Sequence, residues 1–159
     1  MVVKILIFNL FFILISLSTV SFGKTIFGKA KVIDGDTIHI NKNKIRLHAI
    51  DAPETNQTCY KNSKVWNCGL ESTKFLKELI GNNKIECITQ GKDRYNRFIG
   101  ICYKDNLDLN SEMVLNGWAI AYRYYSKDYV EEEEKAKQEK RGIWIGDFVE
   151  PYLFRKKNK

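Results

Sequence analysis

The sequence predicts an α+β domain: a five-stranded OB-type β-barrel with about three α-helices attached. Two observations carry this. Apolar residues recur with strand-like or helical period in the order three strands, helix, two strands, then helices. The 159 residues give room for one domain with a substantial core, and no internal repeat or low-complexity tract divides them.

The first β-rich run begins at Thr25 and includes Ile26, Phe27, Ala30, Val32 and Ile33. It stops at Asp34-Gly35-Asp36, a turn or bulge signal. Thr37 to Asn41 reads as a second strand, Asn41 to Lys44 as a hairpin turn, and Ile45 to Ile50 as a third strand. Alternation puts Ile45, Leu47 and Ala49 on one face of that strand, with Arg46 and His48 on the other. Pro53 ends it and fixes the approach of Glu54. Residues 55–67 read as a polar loop.

The stripe Leu70, Thr73, Leu76, Leu79 and Ile80 predicts a helix over 69–80, stopped by Gly81. Lys84 to Gln90 and Arg97 to Tyr103 predict a hairpin turning at Asp93-Arg94-Tyr95-Asn96. A short helix over 110–116 follows, with Asn110 as its N-cap and Gly117 as its stop. Residues 118–125 are aromatic and irregular. The last helix runs from about Asp128 to Arg141, acids first and bases last, as the helix dipole favours. Its charge run reads as a solvated face with Glu131–Lys135 and Glu133–Lys137 pairs. Ile143-Trp144 is expected to pack back on the core, and residues 155–159 to form a mobile basic tail.

Residues 1–23 read as a cleavable signal peptide. Lys4 precedes an apolar run from Ile5 to Leu17, and Ser21 and Gly23 supply the small residues before a cut at Lys24. An exported protein, secreted or periplasmic, is therefore expected, with an uncleaved membrane anchor as the alternative. The domain proper is expected over 24–154. The net charge of +7 becomes +6 once Lys4 is removed, and either value favours a polyanionic partner. All four cysteines fall after the leader, an even count that suits disulfides in an exported chain. Pairing Lys92 with Arg97 and counting outward sets Cys87 opposite Cys102. Cys59 and Cys68 would then close a short loop beside Glu54. No Cys-x-x-Cys occurs, so a zinc site is the weaker reading.

The chemistry concentrates between Asp34 and Glu54. Asp36, Asp51 and Glu54 can supply the hard oxygen donors that Ca²⁺ or Mg²⁺ prefers. Arg46, lying between them, can fork onto a phosphate. Carboxylates and an arginine in one stretch suit metal-assisted attack on a phosphodiester. Asp34 reads as a turn residue and not a ligand.

Five segments in order, Val32 to Thr37, Ile45 to Leu47, Ile50 to Glu54, Asp93 to Arg97, and Gly117 to Ala119 with Lys140 to Trp144, resemble the thermonuclease (staphylococcal nuclease-like) family. The resemblance implies an OB-fold enzyme that depends on Ca²⁺ and cleaves DNA and RNA without regard to the sugar, leaving 3′-phosphate ends. It implies Asp36 and Asp51 as side-chain ligands of Ca²⁺, with the backbone carbonyl of Ala52 as a further ligand. Ala52 stands where the family has threonine, and a carbonyl needs no particular side chain. Glu54 resembles the residue that holds and deprotonates the attacking water. Arg46 and Arg97 resemble the pair of arginines that clamp the phosphate. Tyr95 resembles an active-site tyrosine, and Arg94 replaces a lysine with its charge kept. Tyr122 and Tyr124 resemble base-stacking tyrosines, in a segment one residue shorter than the family pattern.

DNA and RNA are thus the expected partners, with no obligate protein partner and a monomeric chain. The alternative from another class is a catalytically silent nucleic-acid-binding module on the same fold. A full complement of Asp36, Arg46, Asp51, Glu54 and Arg97 argues against it. His48 shares the Arg46 face and could reach substrate, although a barrel-surface histidine is the plainer reading.

Overall fold

The computed structural model describes residues 23–158. The expected leader therefore lies, apart from Gly23, outside the described residues. β1 (Thr25–Asp34), β2 (Thr37–Ile40) and β3 (Asn43–Leu47) form an antiparallel meander. β1 also pairs with β7 (Lys84–Lys92), which pairs with β8 (Phe98–Lys104). β3 and β8 then run parallel, Arg46 opposite Ile99, and close the five strands into a barrel. The α+β OB-type barrel is as the element order predicts.

Side chains alternate as closure requires. Ile38, Ile40, Ile45, Leu47, Ile85 and the Cys87–Cys102 pair fill the interior. Helix α1 (Cys68–Ile80) adds Leu76 and Ile80 to this core, and α2 (Leu109–Leu115) adds Leu109, Met113 and Val114. Helix α3 is Val130–Gln138, shorter than expected at both ends. A fourth helix, α4 (Pro151–Lys157), exceeds the three expected.

Four local differences matter for the site. The third strand does not run on to Ile50. Ala49 takes a left-handed φ of 58° and turns the chain, so that Ile50–Asp51 leaves the barrel as β4. β4 pairs with β10 (Ile120–Ala121), a strand inside the segment read as irregular. The polar loop 55–67 contains a small hairpin, β5 (Cys59–Lys61) with β6 (Lys64–Trp66). β9 (Leu107–Asp108) extends the sheet from β8, and its Asp108, not Asn110, caps α2 by accepting from the Asn110 and Ser111 N–H groups.

Both disulfides connect as the sequence suggests, Cys59 with Cys68 and Cys87 with Cys102. The register behind the second differs from the simple count. Lys92 pairs with Phe98, not Arg97, and a bulge between Thr89 and Gly91 restores Cys87 opposite Cys102. No helix among the described residues is long and apolar enough to cross a membrane.

Candidate active site

Asp36 sits in the turn after β1. Its carbonyl accepts from Leu47 N at 2.8 Å, and its own N–H donates to Asp34 Oδ1 at 3.0 Å. Gly35 permits this turn to lie against α1, because a Cβ there would collide with Ser72 Oγ and Ala52 Cβ. The Asp36 carboxylate is buried, accepting from Thr37 Oγ1 and from Ala52 N. Arg46, on β3 opposite Thr37, places Nη1 2.8 Å from Asp36 Oδ2 and Nη2 2.9 Å from Asp51 Oδ1. One guanidinium thus bridges an acid in the turn after β1 and an acid on β4, an arrangement its planar fork suits.

Asp51 is 0 % exposed, and its Oδ2 has no hydrogen-bond partner among the described residues. Burial, then the charge of Asp36, pushes the Asp51 carboxyl up to about 6 against the pull of Arg46 and Arg155. Asp34 responds in the same way: burial, then Asp36, pushes it up to about 7. Carboxylates crowded together resist ionisation, and a divalent cation would relieve both the crowding and the unpartnered oxygen. Two carboxylates form an oxygen-rich, thiol-free donor set that fits Ca²⁺ chemistry. Among the described residues no three His, Cys, Asp or Glu side chains already converge as a cage.

Glu54 follows Pro53 on a short turn. Its carbonyl accepts from Gln57 N, and its N–H donates to Gln57 Oε1. Gly69 brings α1 against this turn, since a Cβ there would strike the Glu54 carbonyl. The Cys59–Cys68 bridge ties the far end of the same loop to α1.

Arg155, read as part of a mobile tail, instead belongs to α4 and reaches into this group. Nη1 lies 3.0 Å from Glu54 Oε1 and Nη2 lies 2.8 Å from Asp51 Oδ1. The boundary expected after Phe154 therefore falls inside a helix. Its cause is tertiary: Pro151, itself buried, starts the helix, and the preceding segment is tied down by Gln57. Pro151 ahead of Tyr-Leu-Phe was the one signal in the sequence that could have revealed it.

Arg97 is not in the Asp36–Asp51 group. It directly precedes Phe98, the first residue of β8, which stands opposite Ile45 on β3. Its guanidinium is held by Asp93, with Nε 2.8 Å and Nη2 2.7 Å from Oδ2. Partial burial works to raise Asp93, but hydrogen bonds from Arg97 and its charge outweigh this and hold the carboxyl below the usual range. Tyr95 is exposed at the tip of the same turn, flanked by the guanidinium groups of Arg94 at 4.9 Å and Arg97 at 5.4 Å.

Tyr122 follows β10, and its N–H donates to Ala49 O at 2.7 Å. Burial, then the negative charge of Asp51, pushes its hydroxyl up. Tyr124 and Tyr125 pack edge-on at 5.0 Å and stand open to solvent, Tyr124 at 82 %. The loop that carries them is held from below by Glu133. That residue is buried, unlike the solvated face expected, and binds Ala121 N, Arg123 and Lys137. His48 is turned toward Asp128, Nε2 to Oδ2 at 3.4 Å.

The family model for staphylococcal nuclease homologues matches residues 44–146. An uncharacterized endonuclease of Haemophilus influenzae is 35 % identical over 98 % of this chain and 87 % of its own length. A succinoglycan biosynthesis protein of Rhizobium meliloti is 36 % identical over 75 % of this chain and 64 % of its own. A micrococcal nuclease of Shigella flexneri is 29 % identical over 81 % of this chain and 79 % of its own. With carboxylates, arginines and exposed tyrosines gathered on an OB-type barrel, the chain belongs to the staphylococcal nuclease homologue family and is a nuclease, a phosphodiester hydrolase.

Proposed function

We propose that the protein is an exported, Ca²⁺-dependent nuclease that cuts DNA and RNA without regard to the sugar and leaves 3′-phosphate ends. The observation that carries this reading is the Asp36–Arg46–Asp51 bridge with its buried Asp51 Oδ2, which has no hydrogen-bond partner among the described residues. Asp36, Asp51 and the Ala52 carbonyl would hold Ca²⁺, which when bound supplies positive charge to the phosphate oxygens. Glu54 takes a proton from water, and the water oxygen attacks phosphorus. The bond to the 5′-oxygen breaks and that oxygen takes a proton from solvent water, leaving a 5′-hydroxyl on one fragment and the phosphate on the 3′ end of the other. Arg46 and Arg97 neutralise the charge that grows on the phosphate oxygens. For Arg97 this requires exchanging Asp93 for phosphate, an exchange one strong acceptor can make for another.

Arg94 and Tyr95 line the approach to the phosphate. Tyr122 and Tyr124 offer rings on which any base can stack, which suits low sequence specificity. Export is supported by Lys4, the Ile5 to Leu17 run and two disulfides, which persist in oxidising compartments. The mature chain acts as a monomer starting at Lys24.

The test is cleavage of single-stranded DNA, duplex DNA and RNA by the oxidised protein, with Ca²⁺, with Mg²⁺ and with chelator, followed by identification of the ends. Cutting of all three with Ca²⁺, lost in chelator and leaving 3′-phosphates, is expected. Metal-independent cutting or 5′-phosphate ends would overturn the chemistry. N-terminal sequencing of the exported protein should begin at Lys24.

A further inference from the structure

We propose that Arg155 is a positioning residue of the active site, its guanidinium fork fixing the Glu54 carboxylate against Asp51. The inference rests on the reading of Glu54 as the group that activates water. Three observations lead to it. The fork spans two carboxylates, at 3.0 Å from Glu54 Oε1 and 2.8 Å from Asp51 Oδ1. One of these, Asp51, is fully buried, so that end of the bridge is little screened by solvent, while Arg155 and Glu54 are each about one-third exposed. The segment that delivers Arg155 is built onto the Glu54 loop and does not merely lie near it.

That construction centres on Gln57, which is 0 % exposed. Its Oε1 accepts from Glu54 N at 3.3 Å, and its Nε2 donates to Val149 O at 2.7 Å. A single buried amide therefore joins the backbone of Glu54 to the entry of α4. Tyr60 and Asp147 add a reciprocal pair of backbone hydrogen bonds, each 2.8 Å, between β5 and the same segment. A helix of 7 residues has almost no stability of its own, so the place of Arg155 follows from these anchors. Glu54 is thus held at two points, its N–H by Gln57 and its carboxylate by Arg155. A base held within a narrow range of orientations reaches the attack geometry more often, and looseness of about 1 Å can cost on the order of a hundredfold in rate.

The experiment compares the mature, oxidised parent with Arg155→Gln, Arg155→Lys, Glu54→Gln and Lys156→Gln. Steady-state cleavage of single-stranded DNA in Ca²⁺, thermal melting and Ca²⁺ titration by calorimetry are measured for each. Arg155→Gln should lower kcat by about 10- to 100-fold with KM within about threefold, the split expected when alignment and not binding is lost. Arg155→Lys keeps the charge that the buried carboxylates require, so it should melt like the parent. It lacks the fork, so its kcat should still fall by about fivefold or more. Lys156→Gln, outside the site, should behave as the parent.

A kcat within about threefold of the parent in Arg155→Gln, or full rescue by lysine, overturns the proposal. So does a rise in KM at constant kcat, which would make Arg155 a substrate contact. Undiminished kcat with about tenfold tighter Ca²⁺ binding would instead make it a competitor of the cation, and would also overturn it. Glu54→Gln separates the two levels. If it cuts like the parent, the reading of Glu54 fails; if it is inactive while Arg155→Gln is not, only the present inference fails.

Discussion

Asn110 shows how one side chain can set the geometry of several elements. It is fully buried in the first turn of α2, and it donates to the carbonyls of His48 and Gly100 while accepting from Cys102 N. The His48 carbonyl and Cys102 N beside the Ala49 turn depend on it, while the Gly100 carbonyl also accepts from His48 N at 2.8 Å. Asn110→Ala should therefore destabilise by about 2–4 kcal/mol, measured by urea unfolding, because the His48 carbonyl and Cys102 N would lose the side-chain partner they have. Asp93 carries a second prediction, with a sign. Its folded carboxyl lies below the ordinary range, so its contribution is present above about pH 4 and is lost as pH falls through the folded value. Asp93→Asn should lower stability by about 1 kcal/mol at neutral pH, and the gap to the parent should close in acid. A gap that stays constant in acid would show that the carboxylate charge contributes nothing there.

At the scale of elements, the loop from Glu54 to Cys68 is the part of the site most dependent on tertiary ties. The Cys59–Cys68 bridge, with a sequence separation of 9, restrains the unfolded chain and holds Glu54 near α1. Replacing both cysteines with serine should cost about 2–3 kcal/mol and lower cleavage activity, while duplex or single-strand binding is retained. Thermal melting and cleavage assays on one preparation would check this. The barrel strands were legible because each buries one face and the period of two survives in Ile38, Ile40, Ile45, Leu47, Ile85 and Cys87. Asp36, Arg46 and Asp51 were legible as a set because they lie within 16 residues, and the structure does bring them together. Arg155 was not, because it lies 101 residues from Glu54 and a short basic C-terminal run looks the same whether it is docked or free. Glu133 was missed for a related reason: its burial comes from β10 and Arg123, which no helical periodicity reports.

For the whole molecule, the distribution of charge predicts how substrate is held. The net charge is +7, and at the site itself Asp36, Asp51 and Glu54 are largely matched by Arg46 and Arg155, so attraction for the polyanion comes from the surrounding lysines and arginines. Binding should then be strongly salt-dependent. With roughly four to six phosphates engaged on a single strand, affinity should fall by about 50- to 300-fold between roughly 50 and 200 mM salt, linearly on a log–log plot. Fluorescence anisotropy on Glu54→Gln in Ca²⁺ would measure this without cleavage. Two further substitutions in that background divide the interaction. Arg94→Gln should weaken binding to every sequence alike and lower the slope by about 0.7, the loss of one phosphate contact. Tyr124→Ala should weaken binding by about 1–3 kcal/mol with the slope unchanged, because stacking releases no counterions. If Arg94→Gln leaves the slope intact, the phosphate path does not cross the Asp93–Asn96 turn. If Tyr124→Ala changes the slope and not the intercept, its ring is not a platform for bases.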